Sequence, residues 1–210
     1  ILFDMDGVIT REDDYRLAAE LTVLELLYSN QFIGLRNDVM MTILFKPGMA
    51  VAVDKFISPK VISELKACGV NTNWDLAYFC IAIYLTELLV DLRDTEVFKR
   101  AADGISEDIL RSIGENLPNL RRDIEHIDIV SSFFFSFRKK REAARAAQEA
   151  SSAVDVMSGM KNFYEDLNAW LTERTGIKEK LCERGNRFWD IVKTVFQERY
   201  LGDSLFEEEE

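Results

Sequence analysis

The chain opens ILFDMDGVIT (residues 1–10), and the reading of these ten residues governs the reading of the rest. Ile1–Phe3 is a short apolar run, and Val8 and Ile9 carry the apolar character past Gly7. That pattern predicts a buried strand running into a tight loop. Asp4 and Asp6 stand one residue apart where the strand ends. Side chains two positions apart on an extended segment point to the same side, so both carboxylates face one place. The carboxyl end of a buried strand lies at the mouth of a sheet, where a ligand can reach it. Gly7 permits the turn that bulkier residues resist. Asp and Gly are also common in plain surface turns, but the coincidence of an apolar strand with both carboxylates favours a site.

Beyond residue 10 the apolar positions recur at helical spacing. Thr10 reads as an N-cap with Asp13 in a capping-box-like position, followed by a helix over residues 11–30 with Leu17, Leu21, Leu24, Leu27 and Tyr28 on its apolar face. Residues 34–54 are less regular and include the KPGM turn at 46–49. Ser58–Pro59 is a helix start and Gly69 a stop. Asn73 is expected to cap a long helix ending near Leu92. Its segment LAYFCIAIYLTELLV (76–90) is apolar on nearly every side, which predicts the central, most buried helix. Ser106, Glu107 and Asp108 begin another helix, which Gly114 and Pro118 are expected to limit.

Residues 119–137 read ambiguously, with burial expected for the aromatic run SSFFFSF (131–137). The alanine-rich, charged stretch 138–152 is helical by propensity. Two amphipathic helices follow, at 160–175 and 184–200, separated by Gly176 and Gly185. Repeats and βαβ alternation are absent, so the chain reads as mostly α with one N-terminal β-strand.

Composition narrows the function. Of 210 residues, 48% are hydrophobic, enough for a real core, and the formal net charge is −11. So acidic a chain repels phosphate backbones, which argues against nucleic acid and anionic membranes as main partners; a small phosphorylated substrate stays open, since local cations or a metal decide that case. The three cysteines, Cys68, Cys80 and Cys182, are odd in number and widely spaced, and they read as core fillers in a reducing compartment. With residues 76–90 interrupted by Thr86 and Glu87, no membrane span is expected, and a cytoplasmic location follows. The missing initial Met and the EEEE end lead to the expectation that this is part of a longer protein.

FDMDGVIT resembles the first signature of the haloacid dehalogenase-like hydrolases, an acidic DxDGV motif after a buried strand. The resemblance implies an α/β, Rossmann-like core in the full protein. Residues 1–10 would be its first strand and nucleophile loop, 11–200 a helical cap domain, and 201–210 the return toward the core. It implies Asp4 as nucleophile and metal ligand, and Asp6 as general acid/base with its backbone carbonyl on the metal. It also implies Mg²⁺ as cofactor and a small phosphate ester as substrate. A carboxylate is a workable nucleophile toward phosphorus, and two carboxylates beside a phosphate call for a hard divalent cation. The stretch CERGNRFWDIVKTVFQERYLGD (182–203) looks like the end of a cap in bacterial members.

The other family signatures are not found. IDIVSS (127–132) imitates the strand that ends in Ser but sits among helical segments, so core packing accounts for it better. Lys161, Lys178, Lys180 and Lys193 follow no strand and read as solvated helix residues. YLGDSLFE (200–207) resembles the last acidic signature, yet what precedes it is helical, which makes Gly202 a helix stop and a metal role for Asp203 the minority reading. Arg11–Glu12 stands where many relatives carry Asp followed by Ser or Thr, which leaves the subfamily and substrate open.

Arg11 and Arg16 are candidates for phosphate contact or plain surface charges. The lone His126 has no partners for a zinc site. RKKR (138–141) reads as a solvated helical face, and Trp74, Trp170 and Trp189 as packing residues. Two other readings are a helical interaction module whose DMDG is an incidental turn, and a phosphomutase of the same superfamily.

Overall fold

The structure, a computed structural model, describes residues 12–35, 57, 59–67, 70, 72–117, 133 and 159–201. Among them are helices and connecting turns, with no strand: α1 (Glu12–Tyr28), α2 (Pro59–Ala67), α3 (Asn73–Asp91), α4 (Glu96–Asp103), α5 (Glu107–Asn116), α6 (Gly159–Thr175) and α7 (Arg187–Leu201). The mostly α character expected from the sequence is therefore found. The expected strand at 1–10, IDIVSS, His126, RKKR, Cys68 and Asp203 lie outside the described residues.

α3 is the centre. It contains no Gly or Pro, and Asp75 in its first turn complements the helix dipole. From Asp75 to Leu89 every residue but Glu87 is buried. A helix apolar on all sides must be covered on all sides, and α1, α6 and α7 pack around α3 while α1 also packs on α7. By length and composition α3 could cross a membrane, yet its apolar surface is covered by these helices. Aromatic contacts hold the layer together: Phe79 meets Phe163 edge-on at 4.5 Å, and Tyr78 meets Phe188 at 5.2 Å. The one described residue of the aromatic run, Phe133, is buried against Trp170 at 5.0 Å and Phe163 at 5.9 Å.

Several polar side chains that enter this core are hydrogen-bonded within it. Thr22, Thr86 and Thr175 are buried, and each donates its hydroxyl to the carbonyl four residues earlier, at 2.7, 2.9 and 2.7 Å. Glu25 on α1 is held by Arg199 of α7 at 2.5 Å, and Glu87 on α3 by Arg174 of α6 in a two-pronged contact at 2.9 and 2.6 Å.

Several boundaries differ from the sequence reading. The N-cap position of α3 is Thr72, with Asn73 its first helical residue. Leu17, expected on the buried face of α1, is 43% exposed, while Leu24 and Leu27 are buried. From Thr22 to Tyr28 every residue is buried, so the exposed side of α1 lies in its earlier part, where Leu17 stands beside buried Ala18 and Ala19. α4 has no counterpart in the sequence reading; Thr95 caps it by accepting from the Phe98 amide at 3.1 Å. Lys178 and Lys180 sit in the α6–α7 connection rather than on a helix.

Gly114 lies inside α5 rather than ending it. A Cβ there would stand 1.4 Å from the Ile33 carbonyl oxygen, so the turn after α1 rests directly on the α5 backbone. Replacing Gly114 by Ala forces that backbone apart. The overpacking costs about 1–3 kcal/mol, against roughly 1 kcal/mol gained in helix propensity. Gly114→Ala is expected to lower the urea midpoint; an unchanged or raised midpoint would contradict the close approach.

Candidate functional site

The residues singled out by the sequence, Asp4 and Asp6, lie outside the described residues. What the structure does define is the end of the helical body from which they lead. Tyr15, in the first turn of α1, stacks on Tyr200, next to the last residue of α7, with centroids 4.4 Å apart and planes at 12°. Phe196 lies 6.2 Å from Tyr200 and meets Trp74 edge-on at 6.2 Å. The chain therefore enters and leaves residues 12–201 side by side. Arg16, a candidate for phosphate contact, is on this first part of α1, half-buried.

A second constellation, unforeseen in the sequence, lies where α3, α6 and α7 meet. Asp75 is fully buried. Its Oδ1 accepts from Trp189 Nε1 at 2.8 Å and from the Tyr164 hydroxyl at 3.1 Å, and its Oδ2 accepts from the Thr72 hydroxyl. Three neutral donors from three parts of the chain thus solvate one carboxylate, aided by the positive end of α3. Burial, then the Asp75 charge and the hydrogen bond to it, push the Tyr164 phenol well above its ordinary range. The sequence signal was the Thr72-x-x-Asp75 spacing at a helix start; that signal predicts a cap and says nothing of the distant donors.

The α6–α7 connection is built to deliver Trp189. Gly176 (φ 85°) ends α6, its amide donating to Thr172 O at 2.8 Å. Asn168 then clamps Cys182 in both directions, donating to its carbonyl at 2.6 Å and accepting from its amide at 2.9 Å. Asn186 caps α7 by accepting from the Trp189 amide at 2.8 Å while donating to Leu181 O at 2.8 Å. Trp189 is thus more than the packing residue the sequence predicts, since its N–H anchors α7 to α3. Lys193, read as solvated, lies 5.4 Å from the centre of the Trp189 ring.

The two described cysteines fill the core as expected. Burial pushes the Cys80 thiol up to about 12, with the Glu20 charge adding to it, and burial pushes Cys182 up to about 12 as well. Among the described residues no group of three acidic, His or Cys side chains could hold a metal ion.

No family model matches the chain, and no curated protein matches it. A protein whose X-ray structure was solved as a Northeast Structural Genomics Consortium target has a similar fold: TM-score 0.68, 24% identity, over 97% of this chain and 49% of that one. The likeness is one of fold, and the chain spans about half the length of that protein.

Removing the Asp75 carboxylate leaves Trp189 N–H and the Tyr164 hydroxyl buried without an acceptor, at about 1–3 kcal/mol per group. Asp75→Ala is therefore expected to destabilise by roughly 3 kcal/mol or more. Asp75→Asn, which keeps one carbonyl oxygen, should cost clearly less in the same urea titration; equal losses would mean the three hydrogen bonds do not hold the junction.

For the thiols, the unfolded chain loses its proton near the ordinary value of 9.0 while the folded chain holds it to about 12. The folded state binds more protons in that window, so the contribution is complete below pH 9 and is lost as pH rises through it. Alkaline unfolding between pH 9 and 12 should accompany new reactivity of Cys80 and Cys182 toward a thiol reagent; labelling of either in the folded protein at pH 8 would contradict their burial.

Proposed function

We propose that this chain supplies the nucleophile strand and a helical cap to a Mg²⁺-dependent phosphatase of the haloacid dehalogenase-like superfamily, acting on a small phosphate ester in the cytoplasm. The observation that carries the reading is the sequence motif FDMDGVIT, in which the preceding apolar run, both carboxylates, the glycine and the apolar pair all agree. The position of the first turn of α1 beside the last turn of α7 supports it, through the Tyr15–Tyr200 stack. A domain inserted into another must have its two ends close together, so that the host chain is interrupted without being pulled apart.

In this reading the Asp4 carboxylate attacks phosphorus, and the P–O bond to the alcohol breaks. Asp6 gives its proton to the departing alkoxide. The deprotonated Asp6 then takes a proton from water, whose oxygen attacks the aspartyl-phosphate and releases inorganic phosphate, restoring both side chains. Mg²⁺, held by Asp4 and by the Asp6 backbone carbonyl, would offset the charge gathered where two carboxylates meet a phosphate. Residues 11–200 would close over the site, exclude water and contribute substrate contacts.

In the protein that carries this chain, Asp4→Asn is expected to lower Mg²⁺-dependent hydrolysis of phosphate monoesters by about 10³-fold or more while leaving far-UV circular dichroism unchanged. Chelation with EDTA should have the same effect and be reversed by Mg²⁺. Turnover retained by Asp4→Asn would remove Asp4 from the nucleophile role. Strong turnover by residues 1–210 alone would overturn the assignment of this chain to strand and cap.

A further inference from the structure

Arg184 lies in the turn ahead of α7 and places its guanidinium 5.6 Å from the centre of the Trp189 ring; Lys193, one turn further along α7, places its ammonium 5.4 Å from the same ring. Two like charges are thus gathered on one indole in a chain of net charge −11. Other cations of these helices are neutralised across the fold: Arg174 by Glu87, Arg187 by Glu107 and Arg199 by Glu25. Among the described residues Arg184 and Lys193 meet no carboxylate at ion-pair distance. Their acidic neighbours are otherwise placed: Glu183 lies 4.0 Å from Lys180, Asp75 accepts only from Thr72, Tyr164 and Trp189, and Asp190 forms no ion pair with either.

The ring that collects them is fixed. Trp189 is 8% exposed, its N–H is tied to buried Asp75 and its amide to Asn186. Each cation is attracted electrostatically by the ring face. Two cations on one ring with no carboxylate at ion-pair distance leave positive charge that an anion can balance. From this geometry we infer an oxyanion site at the N-terminal half of α7, in which Arg184 and Lys193 hold a phosphate group of a small molecule beside Trp189. Arg184 supplies a planar pair of donors suited to phosphate, and Lys193 a point charge. The site belongs to the half of α7 away from Tyr200 and does not depend on the roles of Asp4 and Asp6.

The test is a titration of the ¹⁵N-labelled chain with inorganic phosphate at constant ionic strength, following the Trp189 indole N–H, which Trp189→Phe identifies. A saturable shift in the millimolar range is expected, weakened at least 5-fold by Arg184→Gln and by Lys193→Gln and unaltered by Lys178→Gln. A shift that is linear and matched by chloride overturns the proposal, as does saturable binding indifferent to both substitutions. Loss of stability in the variants with no saturable phosphate binding by the wild-type chain also overturns it, because the two cations would then serve only to balance buried Asp75. Should Arg184→Gln fail to fold, Lys193→Gln and Arg184→Lys carry the comparison, the latter retaining charge and partial affinity.

Discussion

The structure depends on the burial of α3. With its inner residues withdrawn from water on every side, this helix removes a large apolar area, at roughly 1.5–3 kcal/mol for each fully buried Leu, Ile or Phe. Such a helix cannot lie at a surface, so the remainder of the fold is the answer to how it is covered. α1, α6 and α7 each take a side, and threonines on α1, α3 and α6 satisfy their hydroxyls within their own helix so that they can face the core.

Apolar burial alone leaves the rotation and register of the covering helices open, because hydrophobic contact is non-directional. The polar groups supply direction. Asp75 accepts from Trp189 on α7 and Tyr164 on α6 at once, which permits one arrangement of those two helices against the first turn of α3. Arg174–Glu87 and Arg199–Glu25 tie the opposite parts of the same helices to α3 and α1. A buried carboxylate with neutral donors is costly to strand and so disfavours any packing that separates its partners. The anchoring of Trp189 also determines where Arg184 and Lys193 are carried, which connects the packing of the core to the charge pattern outside it.

Much of this was legible in the residues. The starts of α2 and α5 follow from Pro59 and from the Ser106 cap, which accepts from Ile109 N–H at 3.4 Å. α6 and α7 follow from periodicity bounded by Gly176 and Gly185, both at positive φ. α4 was not legible: with eight residues it offers little more than two turns of pattern, and its Thr95 cap follows directly on the end of α3. Gly114 misled because a glycine read locally is a helix stop, whereas here it makes room for the Ile33 backbone, remote in sequence. Leu17 misled because leucine spacing marks an apolar stripe along the whole helix, while in the earlier part of α1 it is Ala18 and Ala19 that are buried. Of the site residues, Asp4 and Asp6 rest on the sequence motif, and the Asp75 junction emerged only in three dimensions.

By itself the sequence determined that the chain is mostly helical, that residues 76–90 form its centre, and that an acidic pair of specific spacing stands before the helices. These are local properties, set by propensity, period and neighbouring residues. Only the tertiary structure decided which face of α1 turns inward, that Asp75 gathers donors from Tyr164 and Trp189, and that the first turn of α1 lies beside the last turn of α7. Those outcomes join residues far apart in the chain, and no local pattern encodes a partner that distant; they are selected together, when the packing around α3 brings Thr72, Tyr164 and Trp189 onto buried Asp75.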